Sequence, residues 1–155
     1  MHGFPAALTS FIGRDGALRE VAGLLAEFRL VTVTGPGGAG KTRLAGEVAR
    51  AVAGEFADGA WLAELAPVRE AAQVAGVVAA ALGVREQPDV PAAEALARVL
   101  ARQQLLLVLD NCSMCSARRR SSARGCWPPV MMCGSWRPAG SRWRWPGRRG
   151  TGLGR

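Results

Sequence analysis

Gly35-Pro36-Gly37-Gly38-Ala39-Gly40-Lys41-Thr42 is the stretch on which the fold turns. Before it stands Leu30-Val31-Thr32-Val33-Thr34, short and β-branched, which predicts a buried strand. After it, Leu44, Val48 and Val52 recur at i, i+4 and i+8, which predicts a helix from Lys41 to Ala53 with one apolar face. A glycine-rich turn between strand and helix can aim successive backbone N–H groups at one anion. The helix N-terminus adds its partial positive charge. The spacing Gly-x4-Gly-Lys-Thr then sets an ammonium and a hydroxyl at the first two helical positions. Lys41 suits the β- and γ-phosphates of a nucleoside triphosphate, and Thr42 suits a Mg²⁺ ion. Lys41 is also the only lysine of the chain, all other basic residues being arginine. A composition so biased against lysine has one where the motif requires it.

The flanking segments continue an alternation of strands and helices. Apolar residues at Leu18, Val21, Leu24, Leu25 and Phe28 predict a helix over 17–28. Ala60 to Leu65 reads as a second strand, Pro67 to about Leu82 as a helix, and Pro91 to about Arg102 as another. Leu105-Leu106-Leu107-Val108-Leu109 is an unbroken apolar run, as a strand buried on both faces requires. The order predicts an α/β fold, an incomplete parallel P-loop NTPase sheet flanked by helices.

The last run ends at Asp110. An acid at the carboxyl end of such a strand reaches the Mg²⁺ or its water shell, and parallel α/β sheets bind ligands at that edge. Lys41 and Asp110 are therefore the candidate catalytic residues, and Thr42 and Asp110 the candidate Mg²⁺ ligands. Asn111 follows, so no adjacent glutamate can polarise a water. The pattern supports nucleotide binding and, at most, slow triphosphate hydrolysis.

Three elements together resemble a known family: Phe11-Ile12-Gly13-Arg14, Gly35 to Thr42 with Arg43-Leu44-Ala45 after it, and Leu106 to Cys112. They look like the NB-ARC-like ATPase module of the STAND class, found in large bacterial LuxR-type and related transcriptional regulators. The resemblance runs from about Leu8 to Cys112. It implies ATP or ADP as ligand, with Ile12, Gly13 and Arg14 near the adenine. Those three residues and Gly35, Pro36, Gly37, Gly38, Ala39, Gly40, Lys41, Thr42 and Arg43 form the candidate nucleotide-binding set. It further implies a switch between ADP and ATP states, coupled to helical and effector domains outside this chain, with DNA binding confined to such domains. No signal peptide or membrane-length apolar run is present, so a cytoplasmic location without membrane association is expected.

The resemblance stops at Cys112, where the composition also breaks. Up to that residue 10 basic residues face all 12 acidic ones; from Ser113 to Arg155 there are 10 arginines and no acid. The net charge of +8 thus belongs to the tail. All four cysteines and four of five tryptophans lie there or at its border. Residues 1–112 read as the NTPase part and 113–155 as a disordered tail translated in a shifted frame. Because methionine and tryptophan have single codons, the shifted junctions are fixed at several places. Met114-Cys115 gives Val, Trp127-Pro128 gives Ala, Met131-Met132 gives Asp and Met132-Cys133 gives Val. With GC-rich codons elsewhere, Cys133 to Trp143 can read Val-Arg-Val-Leu-Ala-Thr-Ser-Arg-Glu-Pro-Leu, a strand and sensor of the kind the family carries next. The nucleotide sequence tests this: a stop codon in the shifted frame ahead of that strand would rule it out.

Other functions remain open on sequence alone. One is an inactive fragment, another a P-loop small-molecule kinase, and a third a nucleic-acid binder acting through the arginine-rich tail. The four cysteines lack the second close pair of a zinc site.

Overall fold

A computed structural model of the chain describes residues 1–6, 11, 13–85, 87–112, 130–134 and 150–152, with residues 131 and 150–152 described by their backbone alone. The elements are α1 (Asp15–Glu27), β1 (Leu30–Thr34), α2 (Lys41–Val52), a short 3-10 turn (Ala53–Glu55), β2 (Ala60–Glu64), α3 (Ala71–Ala81), α4 (Ala92–Leu100), β3 (Leu106–Asp110), β4 (Val130–Gly134) and β5 (Gly150–Gly152). The first strand has the bounds its β-branched run predicts. The stretch from Pro67 does not begin as helix. Val68 N–H donates to the Leu65 carbonyl in a turn, and Glu70 and Gln73 form a capping box that starts α3.

One sheet runs β2-β3-β4-β1-β5. β2 pairs with β3 in parallel and β1 with β5 in parallel. β4 lies between β3 and β1 and runs against both, Leu107 and Leu30 both standing opposite Cys133. The sheet is therefore mixed.

The alternation along β3 explains the unbroken apolar run. Leu106 and Val108 face a cluster built with α1 and α2, which includes Leu44, Val48, Val31 and Val33. Leu105 and Leu107 face a second cluster with Ala63 and Val78, backed by Leu96 and Leu100 of α4. Helices thus cover both faces, and every side chain of the strand's core has an apolar partner.

The sheet also takes in residues beyond Cys112. Two pieces of the tail, Val130–Gly134 and Gly150–Gly152, complete the sheet. Strands β1 and β3 would otherwise each present an unpaired edge. The run Val130-Met131-Met132-Cys133 is the most apolar stretch of the tail, and Val130 and Met132 bury their side chains fully in the α1–α2 cluster. The shifted-frame strand at 133–143 overlaps β4 only at its end. Residues 113–129, 135–149 and 153–155 lie outside the described residues.

The outer edge of β2 is covered by the chain's first residues. His2 N–H donates to Ala60 O at 2.9 Å, Leu62 N–H donates to His2 O at 3.0 Å, and the His2 and Trp61 rings stack 3.7 Å apart. Among the described residues no helix is long and apolar enough to cross a membrane.

Candidate nucleotide site

The loop from Gly35 to Gly40 joins the end of β1 to the start of α2. Gly38 and Gly40 both have positive φ, 74° and 69°. Gly40 is the N-cap of α2 and no side chain caps that helix. The left-handed turn at Gly40 starts α2 without a Cβ clash, and a helix N-terminus is a place where backbone amides can meet an external acceptor.

Lys41 folds back over the loop. Its Nζ donates to the carbonyls of Gly35 and Pro36, each at 3.0 Å. The ammonium therefore stands above the hollow of the loop, satisfied by neutral acceptors that a phosphate would outcompete on charge.

Thr42 and Asp110, 68 residues apart in sequence, meet at the same place. Thr42 Oγ1 donates to Asp110 Oδ2 at 2.7 Å. Asp110 Oδ1 accepts from the Asn111 N–H at 2.8 Å, and Asn111 takes a left-handed φ of 58°. That turn at the end of β3 orients the carboxylate toward α2. Hydroxyl and carboxylate are the hard oxygen donors that Mg²⁺ prefers, and the ion usually takes one or two carboxylates with phosphate and water. The pair fits such an ion.

Beside Thr42 an open pocket of about 400 Å³ extends along α2, with Arg43 and Gly46 on one wall and Phe4 and Leu62 on the other. Phe4 and Leu62 carry no signal in the sequence that would place them near the loop. β2 carries Leu62 there, and the N-terminal segment, tied by Arg50 Nη2 donating to Pro5 O at 2.9 Å, carries Phe4.

Of the residues expected near the base, Ile12 lies outside the described residues. Gly13 is exposed with φ of 81°. Arg14 is exposed, and its Nη1 donates to the Ala39 carbonyl of the loop. The Arg43 guanidinium lies 5.7 Å from the centre of the Phe11 ring, a cation–π contact. Phe11 is thus held against Arg43 of α2, and Arg14 against the glycine loop. Of the four cysteines, Cys112 and Cys133 are described, neither in a disulfide. Burial raises the pKa of Cys133 above its ordinary value, with Arg29 acting in the opposite direction.

Comparison with known proteins identifies the family. The family model of the NB-ARC domain matches residues 14–115. An uncharacterized protein of Mycobacterium tuberculosis is 42% identical over 123 residues, covering 77% of this chain and 31% of that protein. A counterpart in Mycobacterium bovis aligns with the same figures. Another Mycobacterium tuberculosis protein, named as a candidate HTH-type transcriptional regulator, is 45% identical over 89 residues, covering 57% of this chain and 10% of its own length. The chain therefore spans less than a third of the length of each of these relatives. No solved structure matches it. With a glycine loop between β1 and α2, helices on both faces of the sheet and a family match over most of its length, the chain belongs to the NB-ARC family and carries that family's nucleotide-binding P-loop module.

Proposed function

We propose that this chain is the nucleotide-binding part of a STAND-type signalling ATPase in a transcriptional regulator of the LuxR-related kind. In this reading it takes Mg²⁺-ATP or Mg²⁺-ADP through a Walker A loop, Gly35 to Thr42, and a Walker B acid, Asp110. The observation that carries it is the Thr42–Asp110 hydrogen bond of 2.7 Å beside the Lys41 ammonium. It joins the first turn of α2 to the carboxyl end of β3, where an α/β sheet binds its ligands.

Lys41 turns from the Gly35 and Pro36 carbonyls to the phosphates. Thr42 and Asp110 hold Mg²⁺ directly or through water, and the ion supplies charge neutralisation of the phosphate oxygens. Arg43 and the segment Gly13–Arg14 bound the nucleotide's outer side. No glutamate follows Asp110, so bound nucleotide turns over slowly or not at all. The regulator-like name of one relative supports a regulatory setting. Helical and effector domains are then the partners, DNA is contacted through those domains, and the protein works in the cytoplasm.

Calorimetric titration with ATP, with and without Mg²⁺, tests the site. Mg²⁺ is expected to tighten binding to the wild type. Asp110→Asn loses most of that gain, a drop of about 10-fold or more in metal-dependent affinity, and keeps the affinity measured without metal. An equal Mg²⁺ gain in both proteins would remove Asp110 from the site.

A further inference from the structure

Arg14 is the N-cap of α1, yet its side chain makes no capping bond there. It crosses instead to the glycine loop, where Nη1 donates to the Ala39 carbonyl. The same nitrogen lies 3.5 Å from the position a Cβ would take on Gly40. On the other side of Ala39, its own N–H donates to Pro36 O at 3.2 Å and closes the turn. Ala39 is thus fixed at both its N–H and its carbonyl.

The carbonyl of Ala39 and the N–H of Gly40 belong to one peptide unit. That unit is planar and trans, so its C=O and N–H point in opposite directions. A group that fixes the direction of the Ala39 carbonyl therefore also fixes the direction of the Gly40 N–H. Gly40 has φ of 69°, a conformation in which a glycine could swing between several orientations. The base of Arg14 does not move freely, because α1 buries Val21 at 2% exposure in the cluster it shares with α2.

We propose that Arg14 is a positioning residue for polyphosphate: it holds the Ala39 carbonyl outward and so aims the Gly40 N–H into the loop. Its effect is on the phosphate cradle, whatever base the nucleotide carries. Nearby, Arg43 of α2 meets the Phe11 ring in a cation–π contact. This inference rests on the reading that Gly35 to Thr42 binds a nucleoside triphosphate.

The test compares ATP with inorganic tripolyphosphate, which has no base or sugar, on the full chain. Arg14→Ala should weaken both ligands to a similar degree, about tenfold, equivalent to about 1.4 kcal/mol, and Arg14→Lys should recover much of the loss. The effect should persist in 0.5 M salt, where a purely long-range attraction by the arginine would be screened. Thermal melting of both variants should match the wild type, since the side chain is exposed. Loss of ATP affinity with unchanged tripolyphosphate affinity would place Arg14 at the base and overturn the proposal, as would no loss for either ligand or a loss that vanishes in salt. A wild-type chain that binds neither ligand would overturn the nucleotide reading itself, and this inference with it.

Discussion

Lys41→Ala should abolish measurable nucleotide binding, weakening it by about 100-fold or more while leaving the melting temperature unchanged. Two features set the size of the effect. The ammonium is hydrogen-bonded over the loop, 3.0 Å from both Gly35 O and Pro36 O. Hydrogen bonds between ionised groups run about twice as strong as neutral ones, and about 2.7 kcal/mol corresponds to that 100-fold. Stability should not follow, because the two carbonyls released are at a solvent-facing loop and can bond water instead. Calorimetry with ATP and a thermal melt on the same samples check both halves. A variant that keeps wild-type affinity would mean that the loop's amides alone hold the phosphates. A variant that melts early would mean that Lys41 is a structural bolt of the loop.

Leu106→Ala should have the largest effect on stability, about 2–5 kcal/mol. Leu106 is fully buried, on the face of β3 that packs with α1 and α2, and its backbone lies between Ala60 of β2 and Gly134 of β4. A domain has only about 5–15 kcal/mol in hand, so this one cavity consumes a large share, and the melting temperature should fall by roughly 10 °C. Arg98→Ala is the matched control. Its ion pair with Glu94 is at the surface, with side-chain exposures of 64% and 54%, and such pairs contribute little. Chemical denaturation followed by circular dichroism should therefore separate the two variants clearly. Equal stabilities would mean that the α1–α2 face of the sheet is loosely packed.

Much of this could be read from the sequence because each signal was local. The glycine spacing, the single lysine and the apolar run ending at Asp110 together located β1, α2 and β3. The Thr42–Asp110 contact follows once both ends sit on one sheet edge. The start of α3 was misplaced by Pro67, although Glu70 and Gln73 carried the capping signal three residues apart. What was not readable is long-range. Nothing in Val130-Met131-Met132-Cys133 says that it pairs with β1 on one side and β3 on the other, or that it runs against both. An apolar run of that length suits a central strand in either direction, and the choice is made by the two open edges it fills. Likewise nothing in the sequence says that Arg14 bonds the Ala39 carbonyl, 25 residues away.

The place of β4 also bears on when the site can assemble. During synthesis the chain emerges from its N-terminus, and β2 and β3 can pair as soon as Asp110 is free. β1, made first of all the strands, has no strand neighbour until residues 130–134 arrive, because its partners are β4 and β5 alone. For that interval Thr42 hangs from one half of a divided sheet and Asp110 from the other, joined mainly by the packing of α2. A pairing as distant as Leu30 with Cys133 is slow to form. The nascent protein therefore carries its complete glycine loop well before it has a rigid edge on which to set the carboxylate opposite it. Its nucleotide affinity should be acquired last, in a single late step of folding.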